Sequence, residues 1–163
     1  MPFVSSHTLV ETSLSASPVK AFIDKAVALG RPAVAYTDLG YLTGAFKFYK
    51  AAKQAGLNFI PGIEMMFLDT ACPSHAVCPE TSYFSITAYG HDKDAYHALI
   101  KASSQVKEKY KSKTEDEYPL YNWADLETLS KYNVSFVMHG SLSLYYRVYE
   151  NYRIVYRLIR RTD

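Results

Sequence analysis

Four side chains stand where a parallel α/β protein does its chemistry: His7, Asp38, Glu64 and His139. Each follows, or lies within, a short apolar run: Val4 to His7, Ala33 to Thr37 before Asp38, Phe59 to Phe67 around Glu64, and Val134 to Met138 before His139. Ligands of parallel sheets bind beyond the carboxyl ends of the strands. Imidazoles and carboxylates suit zinc, manganese or iron, so convergence of the four would make a metal site. The plainer alternative is that Asp38 caps the following helix and Glu64 faces solvent. A second constellation is Cys72-Pro73-Ser74-His75-Ala76-Val77-Cys78. Its C-x2-H-x2-C spacing offers three zinc ligands, with His91 as a candidate fourth. An ordinary loop or a Cys72–Cys78 disulfide are the competing readings. The spacing matches no strong zinc signature, which favours the loop.

Two basic stretches are candidates for phosphate or an acidic partner. Lys101, Lys107, Lys109, Lys111 and Lys113 surround Tyr110, but Glu108, Glu115, Asp116 and Glu117 dilute them, as on a solvated helix end. Arg153, Arg157, Arg160 and Arg161 alternate with tyrosines and make the better candidate. Their alternative role is to complement the dipole of their own helix.

The elements that must position these groups follow from periodicity and punctuation. Ser17-Pro18 reads as an N-cap and first helical residue, and Val19, Phe22, Ile23, Ala26 and Val27 follow at helical spacing until Gly30. Ala33 to Thr37 fits a buried strand, Ala45 to Ala55 a helix, and Phe59 to Phe67 a strand. This β-α-β-α-β order, counted from Val4, predicts a parallel sheet flanked by helices, with Phe22, Ile23, Val34, Phe48 and Ile63 in its core. Asp69 to Ser82 reads as an irregular loop and Tyr83 to Tyr89 as a strand. Asp92 to Lys109 reads as a helix with Tyr96, Leu99, Ile100 and Ser103 on one stripe, and Lys107 to Glu117 as a solvated stretch. Asn122, with Asp125 three residues on, caps a short helix. Val134 to Met138 is a last strand, and Leu144 to Ile159 traces one face of a terminal helix.

Composition sets the class. The chain has 163 residues, 48% hydrophobic and 21% charged, a globular balance that excludes wholesale disorder. A net charge of +2 excludes binding of nucleic acid by bulk charge alone. No apolar run reaches the roughly 18 residues of a membrane span, and Met1 to His7 shows no signal-peptide pattern, so a cytoplasmic location is expected. The 15 tyrosines point to half-buried surfaces and interfaces.

The run Ala28-Leu29-Gly30-Arg31-Pro32-Ala33-Val34-Ala35-Tyr36-Thr37-Asp38-Leu39-Gly40, the segment Gly44 to Gly56 with Phe48-Tyr49 and Ala51-Ala52, and Ile60-Pro61-Gly62-Ile63-Glu64 together resemble one family. That family is the PHP (polymerase and histidinol phosphatase) domain at the N-terminus of bacterial DNA polymerase III alpha subunits. Its pattern is approximately A-L-G-x-P-A-x-A-x-T-D-H-G, then G-x-x-x-F-Y-x-A-A-x-x-A-G, then P-I-x-G-x-E. The likeness is dense over Pro18 to Phe67, thinner through Ala95 to Ser104 and Trp123 to Met138, and does not align beyond His139. It implies a distorted βα barrel with metal ligands at strand ends. In active members the clustered cations activate a water and neutralise phosphoryl charge in phosphoester hydrolysis, including proofreading. Three departures bear on this. The first motif, H-x-H, reads Ser5-Ser6-His7. The second, T-D-H-G, reads Thr37-Asp38-Leu39-Gly40. A further family histidine falls at Ser85. Gly62-Ile63-Glu64 preserves G-x-E.

The expectations are therefore as follows. The fold is α/β, a partial or truncated PHP-type barrel over residues 1–141, with a Tyr- and Arg-rich helix over 142–163 packing on it or on a partner. The metal site at His7, Asp38, Glu64 and His139 is vestigial, holding zinc or manganese weakly. The function is that of a non-catalytic, replication-associated module contacting a polymerase or a proofreading subunit; self-association is an alternative use of the terminal helix. A reduced metal-dependent phosphoesterase and a free-standing decoy for replication partners are the alternatives. A chain of 163 residues holds no polymerase catalytic region.

Overall fold

The computed structural model of the chain describes residues 18–68, 83–106, 109–111 and 117–138. Helix α1 (Val19–Ala28) starts one residue later than the sequence pattern predicts. Pro18 itself is the extended N-cap, at φ −70° and ψ 141°. Strand β1 (Ala33–Leu39), helix α2 (Ala45–Gln54) and strand β2 (Asn58–Leu68) complete a β-α-β crossover, and β1 and β2 are parallel. Strand β3 (Tyr83–Gly90) then runs antiparallel to β2, and strand β6 (Val134–Met138) antiparallel to β3. The sheet is thus mixed rather than wholly parallel.

Between β3 and β6 lie helix α3 (Lys93–Gln105), strands β4 (Lys109–Lys111) and β5 (Glu117–Tyr121), and helix α4 (Trp123–Leu129). The expected long helix to Lys109 stops at Gln105, where Val106 turns extended at ψ 122°. The expected solvated stretch instead contributes an antiparallel β4–β5 pair. Strand β5 joins the sheet parallel to β2, pairing Leu120 with Met66 and Tyr121 with Phe67.

Pleating divides the sheet into two faces, because aligned residues of neighbouring strands point the same way. Val34, Tyr36 and the partly buried Phe59 face α1 and α2, where they pack with Val19, Ile23, Ala26, Phe48 and Ala52. On the same face, Ile63, Met65, Phe67, Ile86 and Ala88 meet Leu99 of α3 and Leu126 and Leu129 of α4. Of the expected core residues, Ile23, Val34, Phe48 and Ile63 are buried, and Phe22 is partly so. The buried stripe of α3 is Ala95, Ala98 and Leu99, so Tyr96 sits at its margin and Ile100 faces outward. No buried side-chain nitrogen or oxygen lacks a hydrogen-bond partner among the described residues. No helix among them is long and apolar enough to cross a membrane.

His7, Cys72, His75, Cys78, His139 and the 142–163 segment lie outside the described residues. His91 is described: it is exposed, and its Nε2 lies 2.7 Å from Ser135 Oγ.

Candidate functional site

The end of β1 sets the geometry. Tyr36 and Asp38 are two residues apart on a strand, so both point toward the helices. Tyr36 is fully buried with its ring 5.4 Å from Phe48. Its hydroxyl donates to Asp38 Oδ2 at 3.0 Å and accepts from the Gly44 amide at 3.0 Å. The other carboxylate oxygen, Asp38 Oδ1, accepts from the Leu39 amide at 2.9 Å. Phenol and carboxylate therefore brace the 39–44 loop and hold the amide of Gly44, the N-cap of α2. Gly44 lacks a side chain for a reason of space: a Cβ there would lie 2.7 Å from the Tyr36 hydroxyl.

Electrostatics follow from that enclosure. Burial pushes the Asp38 carboxyl above the usual carboxylate range, while the bonds from Leu39 N–H and the Tyr36 hydroxyl pull it down. Burial, and then the neighbouring Asp38 charge, drive the Tyr36 phenol well above its ordinary value.

Glu64 belongs to the opposite face. Its neighbours Ile63 and Met65 are in the helix-covered core, so its own side chain points away from it. Across the sheet Glu64 aligns with Leu39 on β1 and with Thr87 on β3, and its carbonyl accepts from the Gly40 amide at 2.8 Å. Thr37 and Thr87, on this face, are fully buried. Gly62 allows the strands to close here, since a Cβ would lie 2.7 Å from the Tyr89 ring and 2.8 Å from Thr37 Cγ2.

Asp38 and Glu64 are therefore not brought together: the sheet lies between their side chains. Leu39, not Asp38, shares Glu64's face and its register position. No group of three His, Cys, Asp or Glu side chains that could hold a metal occurs among the described residues. Beside Glu64 in the register stands the hydrocarbon side chain of Leu39, and both Asp38 oxygens accept hydrogen bonds.

Strand β5 closes the other side of the loop, a contact the residue pattern signals only faintly. Gly40, at φ +74°, lies under Pro119 of β5, and the Tyr121 hydroxyl donates to the Gly40 carbonyl at 2.8 Å. A groove of about 580 Å³ runs beside this junction, lined by Tyr41, Leu42, Thr43, Tyr96 and Ile100 among others. The spacing of Tyr118 and Leu120 about Pro119 is the faint strand-like signal, diluted by the surrounding charges.

The family model for the PHP domain matches residues 5–162. The chain belongs to the PHP-domain family. Among curated relatives, this PHP domain is 33% identical over 106 residues to the DNA polymerase III subunit alpha of Borreliella burgdorferi, covering 64% of this chain and 8% of that one. It is 41% identical over 119 residues to the same subunit of Xylella fastidiosa strain 9a5c, covering 63% and 9%. The subunit of Saccharopolyspora erythraea is 43% identical over 65 residues, 39% of this chain and 5% of that one. The matched region is thus under a tenth of each of these relatives. Among solved structures, a Bifidobacterium adolescentis protein described as a metal-dependent phosphoesterase aligns with TM-score 0.42 and 17% identity over 63% of the PHP domain and 32% of that chain.

Proposed function

We propose that this PHP domain is a non-catalytic, replication-associated module, related to the N-terminal region of DNA polymerase III alpha, that acts through its structure and its contacts with replication proteins. The observation that carries this reading is the pairing of Leu39 with Glu64. In the resembling family that second-motif position is histidine, and an isobutyl group there cannot coordinate a cation. Ser5 stands at a first-motif histidine in the same way. Relatives that are DNA polymerase III alpha subunits support the replication context. Partners of this kind include a polymerase or a proofreading subunit. Any zinc or manganese held through Glu64, with His7 and His139, is bound weakly on this reading.

The test is elemental analysis of purified protein together with hydrolysis of bis-p-nitrophenyl phosphate in added manganese or zinc. Unmodified protein should hold less than one equivalent of metal and hydrolyse at the blank rate. The double variant Ser5→His, Leu39→His should hold more. Tight multinuclear metal with phosphodiester hydrolysis by the unmodified chain sinks the reading in favour of a reduced metallophosphoesterase.

A further inference from the structure

The outward side of α2 carries a feature that neither the metal-ligand positions nor the core accounts for. Phe46, Tyr49, Lys50 and Lys53 recur at i, i+3, i+4 and i+7, one stripe of the helix. The stripe flanks the buried Ala45, Phe48 and Ala52, with Tyr49 at the border between them. Phe46 is 60% exposed, a large apolar ring left in water. Its ring lies 6.4 Å from Tyr49 at an interplanar angle of 25°. Tyr49 meets Phe59 edge-on at 5.7 Å, and Phe59 lies 6.0 Å from the buried Phe48. A ladder of rings thus runs from the core to the surface and fixes the orientation of the outermost pair.

Cations accompany the rings. Lys50 Nζ is 4.6 Å from the Phe46 centroid, and Lys53 Nζ is 5.5 Å from that of Tyr49 while donating to its hydroxyl at 3.1 Å. The helix carries three lysines and no carboxylate. The local charge is therefore positive although the whole chain is at +2.

We propose that this stripe of α2 binds single-stranded nucleic acid, with a base stacked on Phe46 beside Tyr49 and with Lys50 and Lys53 against the phosphates. Rings held flat beside flexible cations are how single strands are bound without sequence readout, since every base presents a π-face. The ammonium over Phe46 marks the face of the ring that a base would take, and its long stem lets it swing to a phosphate as the base arrives. A duplex keeps its bases stacked and offers only phosphates. An acidic peptide would pair with the lysines but leave Phe46 unused.

The test is fluorescence anisotropy of the full chain with a labelled oligothymidine, at about 50 and 200 mM salt, against a duplex of equal length and a glutamate-rich peptide as competitors. Single strands should bind more tightly than duplex and weaken as salt rises. Phe46→Ala should weaken binding by about tenfold, and Phe46→Tyr should restore most of it. Lys50→Gln should lower the steepness of the salt dependence by about 0.7. Both side chains are exposed, so the variants should melt with the parent, and thermal unfolding checks this. Three results overturn the proposal. One is no saturable binding at low salt. Another is binding that Phe46→Ala leaves within about twofold, which puts the contact on other residues such as Arg153 to Arg161. The third is competition by the peptide equal to that by unlabelled single strand, which makes the surface one for acidic proteins.

Discussion

The Tyr121 hydroxyl donates to the Gly40 carbonyl across 2.8 Å and joins residues 81 positions apart. Strand β1 borders β2 as far as Glu64, and β5 takes over the same edge at Met66. This bond seals the joint between them. Tyr121 is buried, so Tyr121→Phe leaves the Gly40 carbonyl without that donor in a dry place. Urea unfolding should show a loss of about 1–2 kcal/mol. An unchanged midpoint would mean that the joint contributes nothing.

Gly40 and Gly56 make a controlled comparison. Both adopt positive φ, +74° and +73°, where a side chain is strained. A Cβ on Gly40 would also overlap Cγ and Cδ of Pro119, whereas one on Gly56 meets nothing within 4 Å. Gly56→Ala should therefore cost about 1 kcal/mol, and Gly40→Ala about 3 kcal/mol or more because strain and overlap add. Equal losses in thermal melts would refute the close packing of Pro119 on the loop.

Asp38 supplies a pH prediction. Its carboxyl is raised above the ordinary value of 3.8 chiefly by burial. For a raised acid, the stabilising form is the protonated one: its contribution is complete below 3.8 and is lost as pH rises through the folded value. Tyr36→Phe removes a bond that lowers that value, so the Asp38 carboxyl should titrate higher still, and the window of lost stability should move upward. Carbon-13 NMR of the carboxyl measures this directly. A downward shift would contradict the Tyr36–Asp38 bond.

The core prediction is simpler. Ile23 is 4% exposed between α1 and α2 and packs in the same cluster as Val34 and Phe48. Ile23→Ala should cost about 2–4 kcal/mol through lost burial and the cavity left behind. A change below about 0.5 kcal/mol, the level of an ordinary surface substitution, would contradict this packing.

Much of this was legible in the residues. The spacing of Ile23, Val34, Phe48 and Ile63 gave the helix-covered face because apolar periodicity reports burial directly. The capping box was legible too: Asn122 Oδ1 accepts from the Ala124 and Asp125 amides, and Asp125 Oδ2 accepts from the Asn122 amide. The relation of Asp38 to Glu64 was not. Strand-end reasoning selects the correct edge of a sheet but not the face, and the face depends on register. Here Asp38 aligns with Ile63, so Leu39 rather than Asp38 accompanies Glu64. The β4–β5 pair was hidden because its partner in the sheet, β2, is remote in sequence and because charges and Pro119 interrupt its tyrosines.

The shared edge of β2 also has a consequence for synthesis. A ribosome delivers Met66 and Phe67 about fifty residues before Leu120 and Tyr121, their neighbours in the sheet. At roughly 5–20 residues per second, that is a delay of about 3–10 s. During it the backbone at Met66 and Phe67 offers an unpaired strand edge within the adhesive sequence Met65-Met66-Phe67-Leu68. Nascent chains stalled so that Leu68 but not Tyr121 has cleared the exit tunnel should therefore cross-link to chaperones, and release once Tyr121 has cleared it.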